Sequence, residues 1–334
     1  MNGVTAPVRP ARLHGLDALR GIAALCVVLL HAHVLMPEIP DLMNRGYLAV
    51  DFFFVLSGYV MARTYEPRLA AGYRATAFFI ARYRRLWPTM AIGGLLFLPF
   101  LQEGTRGENI HLWPVIFVNF VLAPSLGSKN LFPLNVPGWS IFFELVGNWV
   151  HGVLLWRLRE QGLAIVCLVC LAGLALAGRI YGNLDIGSDQ GELSVGLLRV
   201  GFTYTLGVLL WRCWGERQIH SLFGYAALLV LPIYFSLPIG VDTSAWRLDL
   251  LFVAVITPLV LIGGLALRRG EGLARAAGEI SFPLYAVHYP MLYWSRALGL
   301  GPYVAIVAAI VVAALIATGH TAWHRRRKMR LSTA

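Results

Sequence analysis

Charge is what this chain has least of. Asp, Glu, Lys and Arg together make up 13% of its 334 residues, against about 25% in an ordinary soluble domain. That shortage is the first sign of lipid contact. Cysteine is scarce too. Cys26, Cys167, Cys170 and Cys213 all lie within apolar runs, so no disulfide framework is implied. Cys167 and Cys170 form a C-x-x-C with no metal-ligating His nearby, and they read as small apolar residues rather than as a redox or zinc site. No metal site is expected. No low-complexity linker and no repeat of convincing period is present, and the lack of two related halves argues against an inverted-repeat transporter. Acidic residues number 17 against 28 Lys and Arg, a net charge of +11. The basic excess sits in short segments between apolar runs, which fits the positive-inside bias and not a nucleic-acid surface.

What is abundant is apolar sequence, at 58%. Eleven stretches stand out, near 16–36, 46–64, 77–101, 111–124, 138–156, 162–179, 194–212, 221–239, 248–267, 282–298 and 302–323. A bilayer crossing needs about 20 residues. The first stretch lacks a small-x-small cleavage site and reads as a retained helix, not a signal peptide. Stretch 111–124 is short and contains Pro114 and Asn119, which suits a re-entrant or surface segment. Leaving it out gives about ten crossings and puts the basic segments on one side: Arg9 and Arg12, then Arg63 to Arg85, Arg157 and Arg159, Arg212 and Arg217, Arg268 to Arg275, and the tail His324-Arg325-Arg326-Arg327-Lys328. Asp185, Asp189, Glu192 and Asp242 fall on the other side. The expected fold is an all-α, polytopic transmembrane bundle with both termini cytoplasmic. It divides into a cytoplasmic segment 1–15, a membrane domain 16–323 and a basic tail 324–334.

Ionisable groups inside spans are costly and point to function. From the rise of about 1.5 Å per helical residue, His31 lies about 22 Å from the inner face, while Asp51 and Glu144 lie about 7 and 9 Å from the outer face. These three therefore share an outer level. His suits proton transfer near neutral pH, and either carboxylate could orient it. Arg20, Arg82, Arg84 and Arg85 lie toward the inner face, as do Ser281, Tyr285 and His288 in the inner half of the ninth crossing. Guanidinium groups bind phosphate by forked hydrogen bonds. Inner phosphate-binding groups and an outer His–carboxylate site together suit a phosphorylated carrier such as an acyl-coenzyme A thioester.

These residues resemble the acyltransferase-3 family of bacterial membrane proteins, which O-acylate glycans and related acceptors. Leu16-Asp17-Ala18-Leu19-Arg20-Gly21, followed by His31, is similar to the family's first-span signature. The segment from Gly46 to Tyr59 with Asp51 at its centre resembles its second, and Arg82-Tyr83-Arg84-Arg85-Leu86-Trp87-Pro88 its basic motif. Trp139-Ser140-Ile141-Phe142-Phe143-Glu144 and Gly278-Glu279-Ile280-Ser281-Phe282-Pro283-Leu284-Tyr285-Ala286-Val287-His288 resemble two later motifs. Phe282 departs from the usual Tyr. The resemblance implies an acyl-coenzyme A donor, acetyl-coenzyme A above all, with no tightly bound cofactor. It also implies a catalytic His31, an essential Arg20, and donor recognition by Arg82 and Arg85.

The expected activity is therefore O-acyl transfer, most simply O-acetyl transfer, to a hydroxyl of a glycan or other envelope acceptor at the bacterial inner membrane. His31 takes the proton, with Asp51 or Glu144 in support. Arg20, Arg82, Arg85, Ser281, Tyr285 and His288 hold the donor, and Trp139 and Ser140 contact the acceptor. Trp139, Trp113 and Trp149 could stack on sugars, although tryptophans at an interface commonly form a membrane belt. The rival expectation is a proton-coupled carrier or flippase of an anionic or lipid-linked sugar, with His31, Asp51 and Glu144 as its relay.

Overall fold

The computed structural model describes residues 11–217, 219–238, 245–267 and 270–332, with side chains as far as residue 323. Arg9, Asp242, Arg268, Arg269 and the side chains of the basic tail lie outside the described residues. The longer helices are α1 (His14–Leu35), α2 (Ala49–Ala70), α3 (Ala75–Phe97), α4 (Leu112–Phe120), α5 (Gly138–Val153), α6 (Glu160–Tyr181), α7 (Leu193–Trp214), α8 (Leu222–Phe235), α9 (Ala245–Leu265), α10 (Glu271–Ala297) and α11 (Pro302–Ser332). Among the described residues there is no strand, only one isolated bridge between Asn130 and Asp189.

Local sequence explains several boundaries. Helix α6 starts with Glu160 in its first turn and stops at Gly182, whose φ of +86° is a left-handed cap that glycine adopts without strain. Asp189 and Glu192 form a reciprocal capping box just before α7. Within α9, Phe252–Ile256 forms a π-turn.

Among the described residues, six helices are long and apolar enough to cross a membrane: α1, α2, α6, α7, α9 and α11. The protein is a multi-pass membrane protein. Helix α4 has nine residues, about 13 Å of rise, against a hydrocarbon core of about 30 Å. The expected ten crossings exceed these six by α3, α5, α8 and α10. Helices α5 and α8 have 16 and 14 residues. Helices α3 and α10 have 23 and 27 residues, but they carry arginines and other polar groups that lower their hydropathy.

Burial separates a centre from a rim. The apolar window of α2 is 78% buried inside the protein, whereas those of α6 and α11 are 28% and 17% buried. Leu168, Val169, Leu176 and Ile180 of α6, with Val307, Val311 and Leu315 of α11, are exposed, as side chains against lipid would be. Helix α2 packs on α7, α1 on α10, α10 on α11 and α3, and α6 on α7. Helices α2 and α7 cross backbone to backbone. A Cβ on Gly58 would lie 2.0 Å from the Tyr204 carbonyl oxygen, and one on Gly207 would lie 2.0 Å from that of Val55. Small residues allow this close approach where helices gain nothing from hiding apolar surface from lipid. Helices α1 and α10 run parallel: Gly21 meets Ala277 near their starts, and His31 meets His288 farther along.

Candidate active site

The site is built mainly on α1, α2, α3, α5 and α10. His31 Nδ1 and His288 Nε2 are 3.0 Å apart. His288 Nδ1 lies 2.8 Å from the Tyr285 carbonyl oxygen and 3.1 Å from that of Leu284. A carbonyl only accepts, so Nδ1 of His288 carries the proton. Nε2 of a neutral His288 then accepts, and His31 Nδ1–H must donate to it. In a neutral His31 this chain of donors leaves Nε2 unprotonated. Two backbone carbonyls thus set the tautomer of a histidine on another helix.

The expected support for His31 was Asp51 or Glu144. The structure pairs both elsewhere. Asp51, fully buried, accepts from Arg199 Nη2 at 2.6 Å and Nε at 3.2 Å. Arg199 also donates to the carbonyls of Ile186 at 2.7 Å and Tyr47 at 3.3 Å. Glu144 accepts from Arg82 at 3.0 Å and from Ser57 Oγ at 2.8 Å. A carboxylate without water needs such a partner, because removing it strands a charge at a cost of several kcal/mol.

The two-level arrangement expected from helix lengths also changes. Glu144, assigned to the outer level, meets Arg82 of the inner one. His288, assigned to the inner half, meets His31. The cause is the true start of α10 at Glu271 rather than near residue 282. His288 lies 17 residues after Glu271 (288 − 271), and His31 lies 17 residues after His14 (31 − 14). On parallel helices, equal offsets bring them to one height.

The arginines expected near the inner face differ in their partners. Arg20 Nε donates to Ser281 Oγ at 2.8 Å, and its Nη2 donates to the Gly278 carbonyl. Asp17 lies 3.2 Å from Arg20 and also holds Arg12. Arg20 is partly accessible, with 30% of its side chain exposed. Arg85 is accessible and stands in the fields of Arg82, Arg20 and Glu144. Among the described residues no ion pair engages Arg85. Arg84 is exposed. Arg20, Arg82 and Arg85 thus form a cluster with more positive charge than Asp17 and Glu144 offset.

Between this cluster and the histidines lie Tyr285 and Ser140. Ser140 Oγ donates to the Pro137 carbonyl at 3.1 Å and lies 2.7 Å from the Tyr285 hydroxyl, which therefore donates to it. Trp139 is 8% exposed, and Arg199 covers its ring at 5.3 Å. Trp113 is 82% exposed on the short helix α4, and Trp149 is exposed on α5.

Two residues escaped the sequence reading. Arg199 is a charge inside the apolar stretch 194–212, which is itself the signal. Asn135 sits in the loop before α5. Pro290 has no N–H, so it frees the Ala286 carbonyl four residues earlier in α10. Asn135 Nδ2 donates to that carbonyl at 3.0 Å.

A multi-helix membrane protein with a hydrogen-bonded imidazole pair and a cluster of arginines has the parts of a membrane-embedded group-transfer enzyme. The chain belongs to the acyltransferase-3 family, whose acyltransferase domain matches residues 13–321. It is an acyltransferase for groups other than aminoacyl groups. It is similar to "Protein 2 in picA locus" of Rhizobium radiobacter, at 33% identity over 50% of this chain and 94% of that protein. It is also similar to the exopolysaccharide production protein ExoZ of Rhizobium meliloti, at 25% identity over 81% of this chain and 86% of that protein. A third relative is the peptidoglycan O-acetyltransferase OatA of Listeria monocytogenes, at 24% identity over 83% of this chain but only 49% of that protein. No solved structure matches.

Proposed function

We propose that this protein is an O-acyltransferase of the bacterial inner membrane that moves an acetyl group from acetyl-coenzyme A, on the cytoplasmic side, to a hydroxyl of an envelope glycan. The observation that carries this reading is the hydrogen bond from His31 Nδ1–H to His288 Nε2 at 3.0 Å, which leaves the other ring nitrogen of His31 free as a base. Nε2 takes the proton of the acceptor hydroxyl, and the oxygen attacks the thioester carbonyl. The carbon–sulfur bond then breaks, and the thiolate takes up the proton from His31 Nε2 to leave as coenzyme A. His288 holds the ring of His31 and shares the imidazolium charge through its own hydrogen bonds to Tyr285 and Leu284. Its role is one of positioning, filled in other enzymes by a carboxylate.

Arg20, Arg82 and Arg85 suit the phosphates of the donor. Ser281 fixes the Arg20 guanidinium, and Tyr285 and Ser140 line the path between phosphate site and base. Asp51 and Glu144 act by holding Arg199 and Arg82 in place. The names of relatives that make exopolysaccharide or acetylate peptidoglycan support a glycan acceptor. About ten crossings, with both termini cytoplasmic, suit this direction of transfer.

The carrier reading needed a carboxylate relay around His31. Each of those carboxylates is bound to an arginine, and the family is one of acyltransferases. The test is thiol release from acetyl-coenzyme A by purified His31→Ala in lipid nanodiscs. Loss of about a thousandfold in rate is expected from removing a general base, with the fold intact. Release at the wild-type rate would remove the assigned role.

A further inference from the structure

From His31 toward the end of α10 that follows it, the ring contacts do not stop. Tyr289 stands edge-on to His31, with centroids 5.4 Å apart at 90°. Tyr293 follows one turn later, 5.4 Å from Tyr289. The end of α3 and the turn after it supply the facing wall. Phe97 lies 5.8 Å from Tyr289 and 4.9 Å from Tyr293, and Phe100 lies 5.6 Å from Tyr293. At the far end Arg296 covers the Tyr293 ring at 5.6 Å and pairs with Glu103 at 2.7 Å. The Trp294 indole donates to the Leu96 carbonyl at 2.8 Å, which ties α10 to α3 and fixes the two walls together.

The residues of α10 in this row, 289, 293 and 296, are spaced by four and three, so they share one helix face. Over these seven residues the row climbs about 10 Å. Phe97 is 1% exposed, but Tyr289, Tyr293 and Phe100 are only half-buried. A packed core would cover them all. A membrane belt would turn them outward to lipid headgroups, whereas these rings turn toward one another and begin on the imidazole. Half-open aromatic faces, two phenol hydroxyls and one charged pair at the mouth form a surface suited to a neutral, hydroxyl-rich ligand. Aromatic faces cover the C–H face of a sugar ring, and a few polar groups fix its orientation.

We propose that this row is the acceptor subsite: Tyr289 and Tyr293, backed by Phe97 and Phe100, take neutral pyranose rings of the acceptor glycan and direct a hydroxyl to Nε2 of His31. This rests on the reading of His31 as the base. It moves the acceptor contact away from Trp139, which is only 8% exposed.

The experiment measures saccharide binding apart from chemistry. Cellotetraose and chitotetraose are titrated against the purified full chain in nanodiscs by saturation-transfer difference NMR. Wild type and His31→Ala are expected to bind equally, and Tyr293→Ala is expected to bind at least about tenfold more weakly. Tyr293→Phe, which keeps the ring, stays within about twofold of wild type. If Tyr293→Ala does not fold, Phe100→Leu takes its place and is expected to weaken binding in the same direction. Unchanged binding in the folded truncation variant, or no saturation transfer to either saccharide in wild type, overturns the proposal. If instead the saccharides bind as expected while His31→Ala still transfers acetyl groups, the base assignment fails and the aromatic subsite stands.

Discussion

Asp51 and Glu144 each face an arginine, at 2.6 and 3.0 Å, whereas His31 faces a second histidine at 3.0 Å. All of these lie among packed helices. A carboxylate there stays charged only with a cation beside it, and the pair then serves mostly to hold its helices in register. An imidazole can stay neutral. Paired with another neutral imidazole, it keeps one nitrogen free to take a proton. The ion pairs are rigid fixtures, and the uncharged pair is the part able to change protonation state during a reaction.

Breaking each side should therefore fail differently. The largest effect falls on His31→Ala, with acyl transfer down about a thousandfold and thermal unfolding in nanodiscs close to wild type. Next comes Asp51→Ala. It leaves the buried Arg199 without its carboxylate and should cost about 3–5 kcal/mol of stability, read as loss of folded protein after detergent extraction. The double change Asp51→Leu with Arg199→Met should recover most of that loss, because no charge is then stranded. A double variant as unstable as the single one would mean that the pair does more than neutralise itself. His288→Ala sits lower, with the rate down about a hundredfold and little loss of fold. His288→Gln, whose amide oxygen can still accept from His31 Nδ1–H, should restore part of it. A purely structural His288 would show a stability loss and no such rescue.

The smallest effect sharpens the comparison from the neutral side. Asn135→Ala leaves the Ala286 carbonyl without its donor and should cost about 1–3 kcal/mol. Pro290→Ala added to it should return most of that by restoring the helical N–H. Unequal thermal shifts in the two single variants, with no recovery in the double, would break the link drawn between Pro290 and Asn135.

How much of this was legible beforehand depended on the kind of information needed. Apolar runs located the helices, and the shortness of 111–124 with its Pro114 anticipated the nine-residue α4. Spacing along a helix gives height, and it put Arg20 and Ser281 at one level, where they meet. It does not give the direction a side chain faces. Asp51 could have faced His31 or Arg199, and only the packing of α2 on α7 decides for Arg199. Height itself failed where a helix start was hidden. The polar stretch from Glu271 to Ser281 does not look apolar, yet it is the first part of α10, and missing it set His288 too low. Asn135 lies in a loop, and its purpose is visible only beside a proline on a distant helix.

The most direct measurement is the 15N spectrum of the imidazoles in histidine-labelled protein in nanodiscs at neutral pH, with His31 and His288 assigned by their substitution. The account predicts that both are neutral, with Nδ1 protonated and Nε2 bare. A proton on Nε2 of His31, either as the other tautomer or as an imidazolium, would contradict it.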